Sequence, residues 1–220
     1  ISGTYAPHVE LERRLAAFHG REAAMLFSAA YATMVGVLPQ FISEQTLIVS
    51  DALNHNCIIN AIRLAHPAGK VIYAHGDMAE LDNILAGNRG RFQRVCVVTD
   101  GVFSMRGDYA PLAGLSRCCA QYQNDYAEGI VTVVDDSHGA GAFGNTGRGT
   151  EEVTGGQADV LIATLGKAFG VNGGYVAASA TTIAYLRETA PLYIYSNPIT
   201  PAEAAAALAA LNVLESPEGA

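Results

Sequence analysis

No block of lysine or arginine occurs in this chain of 220 residues, which sets 13 basic residues against 21 acidic ones for a formal net charge of −8. That balance makes nucleic acid and anionic membrane poor partners. No apolar run is long enough to cross a bilayer and none reads as a secretory signal, so neither a membrane nor an exported protein is expected. Cysteine is scarce: Cys57, Cys96, Cys118 and Cys119 form no C-x-x-C pair, and the adjacent Cys118 and Cys119 diverge on a helical pattern. A metal site and a disulfide framework are therefore not expected, and a reducing, cytoplasmic setting is. Internal repeats and long linkers are also missing. The sequence opens on Ile1 rather than Met and stops just past a helical pattern, so a fragment of a longer protein is expected.

Apolar residues are plentiful, at 50% of the chain, enough for one large α/β domain with a sizeable core. Leu11, Leu15 and Phe18 lie at helical spacing over Glu10 to Phe18, and Met25-Leu26-Phe27 reads as a strand. Small residues from Ser28 to Ala32 open the next helix, where backbone N–H groups can approach a phosphate; an ordinary strand-to-helix turn reads the same way. Strands follow at Leu47–Val49, Val71–Tyr73, Val95–Thr99, Ile130–Val134, Val160–Ala163 and Gly174–Ala178, with helical patterns between most of them. Asp77 is placed to cap one helix and Pro111 to start another. Asn124 to Gly129 reads as a polar loop, Gly139 to Gly149 as irregular, and Pro201 to Leu214 as an alanine-rich helix. Alternating strands and helices imply a mainly parallel sheet covered on both faces, a three-layer α/β sandwich.

In such a sheet ligands sit beyond the carboxyl ends of the strands. Ser104, Asp135, His138 and Lys167 all fall just past a strand end. Lys167 is the centre of the pattern: a buried strand delivers one amine, flanked by Gly166 and Gly170. Burial favours a neutral lysine, which can attack a carbonyl and form a Schiff base. An ordinary solvated lysine at a strand end is the alternative for this stretch taken alone. Around one planar pyridine cofactor, Asp135 can pair with the ring nitrogen, Ser104 and His138 can bond a ring hydroxyl, and His55 can stack on the ring. Taken singly, Asp135 could cap a turn and His55 could bond the backbone at a helix start.

Gly139-Ala140-Gly141-Ala142-Phe143-Gly144 matches G-x-G-x-x-G, with Asp159 at a suitable distance, so a nicotinamide-dependent oxidoreductase is the rival enzyme class. The fingerprint should open a helix, whereas the residues that follow, Asn145 to Gly149, read as turns. A non-catalytic subunit of the same fold is a third class; retention of both Asp135 and Lys167 speaks against it.

Three segments carry a family resemblance: Thr164-Leu165-Gly166-Lys167-Ala168-Phe169-Gly170, Val134-Asp135-Asp136-Ser137-His138-Gly139-Ala140-Gly141 and Asp100-Gly101-Val102-Phe103-Ser104-Met105. They resemble the α-oxoamine synthases, pyridoxal-phosphate (PLP) enzymes of fold type I, the aspartate aminotransferase fold. These condense an amino acid with an acyl-CoA. The similarity runs from Ser2-Gly3-Thr4 through Asn197. It implies a large PLP-binding domain over residues 1–220, without an N-terminal segment and the small C-terminal domain that carries the family's substrate-carboxylate arginine. It implies that Lys167 is the Schiff-base lysine, with His55, Asp135 and His138 also catalytic. Ala30 and Tyr31 would offer backbone N–H groups to the cofactor phosphate and Thr164 would contact it. Ser104 would sit near the ring hydroxyl. Ser196 and Asn197 would reach the phosphate in the neighbouring subunit of a homodimer with shared sites. Asp51-Ala52-Leu53-Asn54-His55 and Tyr195-Ser196-Asn197 look like the glycine C-acetyltransferase branch (2-amino-3-ketobutyrate CoA ligase), so glycine and acetyl-CoA are the expected substrates. Gly107-Asp108-Tyr109-Ala110-Pro111-Leu112 leans toward 8-amino-7-oxononanoate synthase, the alternative.

Overall fold

The computed structural model describes residues 3–217 and Gly219; Ile1, Ser2, Glu218 and Ala220 lie outside the described residues, and with them the start of the resemblance. Seven strands form one sheet: β1 (Ala23–Phe27), β2 (Thr46–Asp51), β3 (Gly69–Tyr73), β4 (Arg94–Asp100), β5 (Ile130–Asp135), β6 (Val160–Thr164) and β7 (Gly174–Ala178), in the order β1-β7-β6-β5-β4-β2-β3. β7 runs antiparallel to both neighbours, and the other pairs are parallel. The mainly parallel sheet expected from the sequence is therefore present.

Helices cover both faces. They are α1 (Ala6–Phe18), α2 (Ala30–Val37), α3 (Asn56–Ala65), α4 (Met78–Gly87), α5 (Leu112–Tyr122), α6 (Thr150–Thr154), α7 (Ala180–Thr189), α8 (Pro191–Ile194) and α9 (Pro201–Leu214). The period-2 alternation of each strand divides the core between the two faces. Met25, Phe27, Ile48, Cys96, Val98, Val133, Ile162 and Val176 pack under α2, α3 and α7. Ala24, Leu26, Ala163, Tyr175 and Ala177 pack under α1 and α9, while Leu47, Val49, Val95 and Val97 pack under α4 and α5. This is a three-layer sandwich with its sheet buried on both sides.

Local chemistry sets the helix ends. Asp77 Oδ1 accepts the Ala79 and Glu80 N–H groups at 3.0 and 2.9 Å and starts α4, as the sequence suggests. Thr200 and Glu203 form a reciprocal capping box at the start of α9. α1 begins at Ala6, earlier than the apolar spacing indicates, because Pro7 pre-sets the first turn. One reading needs correction, and two short helices carry no sequence pattern that shows them. The polar stretch at 124–129 begins within a 3-10 turn, Gln123–Asp125, and Gln123 Oε1 accepts the Ile130 N–H at 3.1 Å. Pro191 opens a helical turn, α8, rather than extending the chain, since a proline at the first position needs no N–H partner. α6 was unreadable because five residues carry no helical period; Asp136, which binds the Thr150 backbone N–H and hydroxyl at 2.7 and 2.6 Å, holds its start.

Candidate active site

The carboxyl ends of β4, β5 and β6 open into one cavity of about 260 Å³. Its wall includes Ala30, Tyr31, His55, Ser104, Asp135, His138, Thr164 and Lys167, so the fold gathers eight residues from five separated segments at one place. Among the described residues, no group of three or more His, Cys, Asp or Glu side chains could hold a metal ion.

Alternation along β5 decides which aspartate faces the cavity. Asp135 shares a face with Val133, under α3, while Asp136 points to the opposite side and is fully buried against Thr150. This also explains the glycine motif after β5. A Cβ on Gly139 would lie 2.2 Å from Asp136 Oδ1, and one on Gly149 would lie 2.0 Å from Asp136 Oδ2. The glycines let the loop wrap a buried carboxylate, and no helix opens at Gly139. Asp159 accepts the Thr132 N–H and hydroxyl, both at 2.7 Å, at the opposite end of the sheet. The dinucleotide-binding alternative loses both of its supports.

Lys167 lies in the connection between β6 and β7. Leu165 N–H donates to Gly173 O at 2.9 Å, Val171 N–H to Leu165 O at 2.9 Å, and Gly170 N–H to Lys167 O at 3.0 Å. Thr164 Oγ1 donates to Gly173 O and accepts the Gly166 N–H, which ties the strand end to the turn. β7 then runs against the entry to α2: a Cβ on Gly174 would lie 2.3 Å from the Ala30 nitrogen. Only glycine permits that approach, and it brings the start of α2 to the β6 edge. Ala29, the N-cap residue of α2, offers no capping side chain, so first-turn N–H groups of this eight-residue helix remain free to take an anion.

His55 caps α3 through its own ring. Nδ1 accepts the Cys57 N–H at 3.2 Å, and the His55 N–H donates to Asp100 Oδ2 at 2.9 Å. The helix-start role weighed above and a place in the cavity wall hold together. The imidazole of His138, open to solvent at the cavity mouth, is held below its usual pKa by desolvation and then by the Lys167 ammonium.

Ser196 and Asn197 are not in this cavity. They are exposed and line a separate hollow with Thr4, Arg187 and Tyr195. Conversely, three cavity residues with polar or ionisable side chains were not expected from the sequence: Asp100, Cys57 and Ser137. Asp100 ends its strand as Asp135 does, and the two sit directly across the β4–β5 ladder. Burial, reinforced by the Asp135 charge, pushes the Asp100 carboxyl up to about 8.

A carboxyl whose folded pKa is raised binds its proton more tightly in the folded chain. The resulting stabilisation is complete below about pH 4 and is lost as pH rises through about 8. Asp100→Asn keeps an acceptor for the His55 N–H and cannot ionise. In protein stripped of small ligands, this variant should match wild type at pH 4 and exceed it by on the order of 5 kcal/mol at pH 8.5. Urea midpoints at the two pH values measure this; equal midpoints at pH 8.5 would refute it.

A seven-stranded sheet of this order, with a lysine in the β6–β7 connection and an aspartate at the end of β5, defines an α/β protein built around a small-molecule cavity. The family model of aminotransferase class I and II matches residues 1–218, and the chain belongs to that family. An 8-amino-7-oxononanoate synthase from Geobacter sulfurreducens is 43% identical over 221 residues, covering 100% of this chain and 54% of that protein. 8-Amino-7-oxononanoate synthase 1 of Bacillus subtilis is 40% identical over 99% of this chain and 54% of its own length. The chain thus spans about half the length of these curated relatives. Among solved structures, serine palmitoyltransferase from S. paucimobilis with a bound PLP–myriocin aldimine superposes with a TM-score of 0.88 at 28% identity, over 98% of this chain and 53% of that one. 8-Amino-7-oxononanoate synthase from Francisella tularensis gives 0.82 at 26% identity, over 99% and 61%. Both kinds of neighbour are α-oxoamine synthases with the fold type I architecture, so the family resemblance and the fold class read from the sequence are correct. Among the described residues no helix is long and apolar enough to cross a membrane.

Proposed function

We propose that this chain is the large, cofactor-binding domain of a PLP-dependent α-oxoamine synthase, acting as 8-amino-7-oxononanoate synthase. The observation that carries the reading is the single cavity joining Lys167, Asp135, His55 and His138 to the uncapped start of α2. Its donor set fits pyridoxal phosphate: free N–H groups and the Thr164 hydroxyl for the phosphate, an amine for the aldehyde, and a carboxylate for the ring nitrogen. Bound there, the cofactor would supply an electron sink for charge developing at the Cα of an amino acid. Lys167 would hold the cofactor aldehyde, and its amine is placed to act as the general base for the Cα proton. Asp135 would hold a proton on the ring nitrogen, and His55 would stack on the ring. His138 and Ser104 would hydrogen-bond the ring hydroxyl. The substrates are an amino acid and an acyl thioester, and the active assembly is a homodimer.

The named relatives favour the branch held as the alternative over glycine C-acetyltransferase. Asp51 to His55 explains why the sequence leaned the other way. Asp51 accepts the Leu53 and Gly76 N–H groups at 2.8 and 2.9 Å, and Asn54 bonds Ser50 and Val98, so these two side chains are taken up by the scaffold. The product name sets the chemistry. An amine on C8 beside a C9 methyl group corresponds to alanine that has lost its carboxylate as CO₂. A ketone at C7 of a terminal acid corresponds to a seven-carbon ω-carboxyacyl thioester that has lost its thiol. The test is an assay of the whole protein with alanine or glycine against that thioester or acetyl-CoA. Alanine with the ω-carboxyacyl thioester should give kcat/KM at least about tenfold above the other pairs. Faster turnover of glycine with acetyl-CoA would return the assignment to the acetyltransferase.

A further inference from the structure

Cys57 has no role in the reading above, yet its side chain meets two of the site's functional groups. It is the second residue of α3, is 2% exposed, and forms part of the cavity wall. Its Sγ lies 3.3 Å from Asp135 Oδ2 and 3.0 Å from His55 Nδ1, and its backbone N–H donates to that same Nδ1 at 3.2 Å. A thiol has one proton to give, and an imidazole nitrogen has one in-plane lone pair. The backbone N–H occupies Nδ1, so the S–H goes to the carboxylate. Asp135 Oδ1 is already bonded to the Ser137 N–H at 3.1 Å, which leaves Oδ2 as the free acceptor.

We propose that Cys57 is a positioning residue of this site. Its thiol donates to Asp135 Oδ2 and sets the direction and basicity of that carboxylate. Its N–H fixes His55 as the tautomer with the proton on Nε2. The geometry stands by itself; its purpose rests on the pyridoxal-phosphate reading. An ionised acceptor strengthens an otherwise weak donor. Burial, then the charge of Asp135, raises the thiol's pKa far above neutrality, so Cys57 stays protonated and remains a donor. A thiol withdraws less charge from its acceptor than a hydroxyl does. Asp135 therefore keeps its orientation while retaining most of its negative charge for a cationic partner. The competing description is a small apolar residue filling space beside Ile58 and Ala61, which it also touches in the core.

Two measurements separate these descriptions. The infrared S–H stretch falls in a window free of other protein bands, and a wild-type minus Cys57→Ala difference isolates it in cofactor-free protein. In Asp135→Asn, which weakens the acceptor, the Cys57 band should move to higher frequency. An unmoved band overturns the proposal whether or not the protein binds a cofactor. In cofactor-loaded protein, Cys57→Ala should raise the dissociation constant of pyridoxal phosphate by about 3- to 10-fold. Cys57→Ser, which restores a donor, should return it to within about twofold of wild type. If Ser behaves like Ala, or Ala like wild type, the residue only packs. If the band moves but wild-type protein takes up no pyridoxal phosphate, the functional reading fails and the positioning geometry stands.

Discussion

Borohydride treatment of the cofactor-loaded protein will leave one pyridoxyl group fixed on the peptide that contains Lys167 and none on the peptide that contains Lys70. These are the only two lysines in residues 1–220, so within this stretch the label has one competing acceptor. Lys70 is the second residue of β3, an edge strand, and so lies toward the amino ends of the parallel strands, away from the cavity. Lys167 follows β6 at the carboxyl edge and faces Asp135 and His138 across the cavity. Lys167→Ala should lower turnover by at least about a thousandfold, since it removes both the covalent attachment and the base. Peptide mass mapping after reduction measures the first effect and steady-state kinetics the second. A pyridoxyl mass on Lys70, or full activity without Lys167, would remove the basis for the functional proposal.

Mixing two inactive variants will restore activity. Ser196 and Asn197 carry hydroxyl and amide donors suited to a phosphate, yet they line a hollow separate from the Lys167 cavity. The simplest competing role, capping α9, is already filled by Thr200 and Glu203. Tyr195 beside them is 86% exposed, an unusual setting for a large aromatic side chain. If these residues serve a cavity of this kind, it is the cavity of a second chain, and a two-fold interface would make two equal shared sites. One chain carries Lys167→Ala and the other carries Ser196→Ala with Asn197→Ala. In a heterodimer with shared sites, both lesions fall in one site and the other is intact. Random pairing should then recover about a quarter of wild-type activity, from parents that show almost none. If each subunit completes its own site, every site keeps a lesion and mixing restores nothing.

The layer order and most of the site were legible because they rest on short-range patterns. Apolar runs at Val95–Thr99 and Ile130–Val134 read directly as strands buried on both faces. Asp135, at the end of one such strand, was already a candidate partner for a ring nitrogen. What stayed hidden depends on register between strands. Asp100 looks like one more polar residue after a strand until β4 is aligned with β5, which sets it beside Asp135. Cys57 looks like core until α3 is docked, because its partner lies 78 positions away. The position of Ser196 and Asn197 outside the Lys167 cavity agrees with what the family resemblance implied, whereas chemical type and spacing alone do not report which chain a loop serves. The substrate branch was misjudged for a related reason: Asp51 and Asn54 are polar residues at a strand end whose bonds go to neighbouring backbone groups and to the Ser50 and His75 side chains.

The reversed strand β7 has a consequence for how the protein is made. Ala23 of β1 pairs with Ala178 of β7, and β1 has no other partner in the sheet. A chain emerging from the ribosome at about 10 residues per second holds β1 unpaired for about 15 seconds before β7 appears. Throughout that interval the backbone at Ala29 and Ala30 lacks Gly174, against which it packs, although the Tyr31 hydroxyl can already bond Asn56 of α3. The nascent chain therefore carries an exposed apolar strand and half a binding site. The half that would grip an anion closes only when synthesis has passed the lysine.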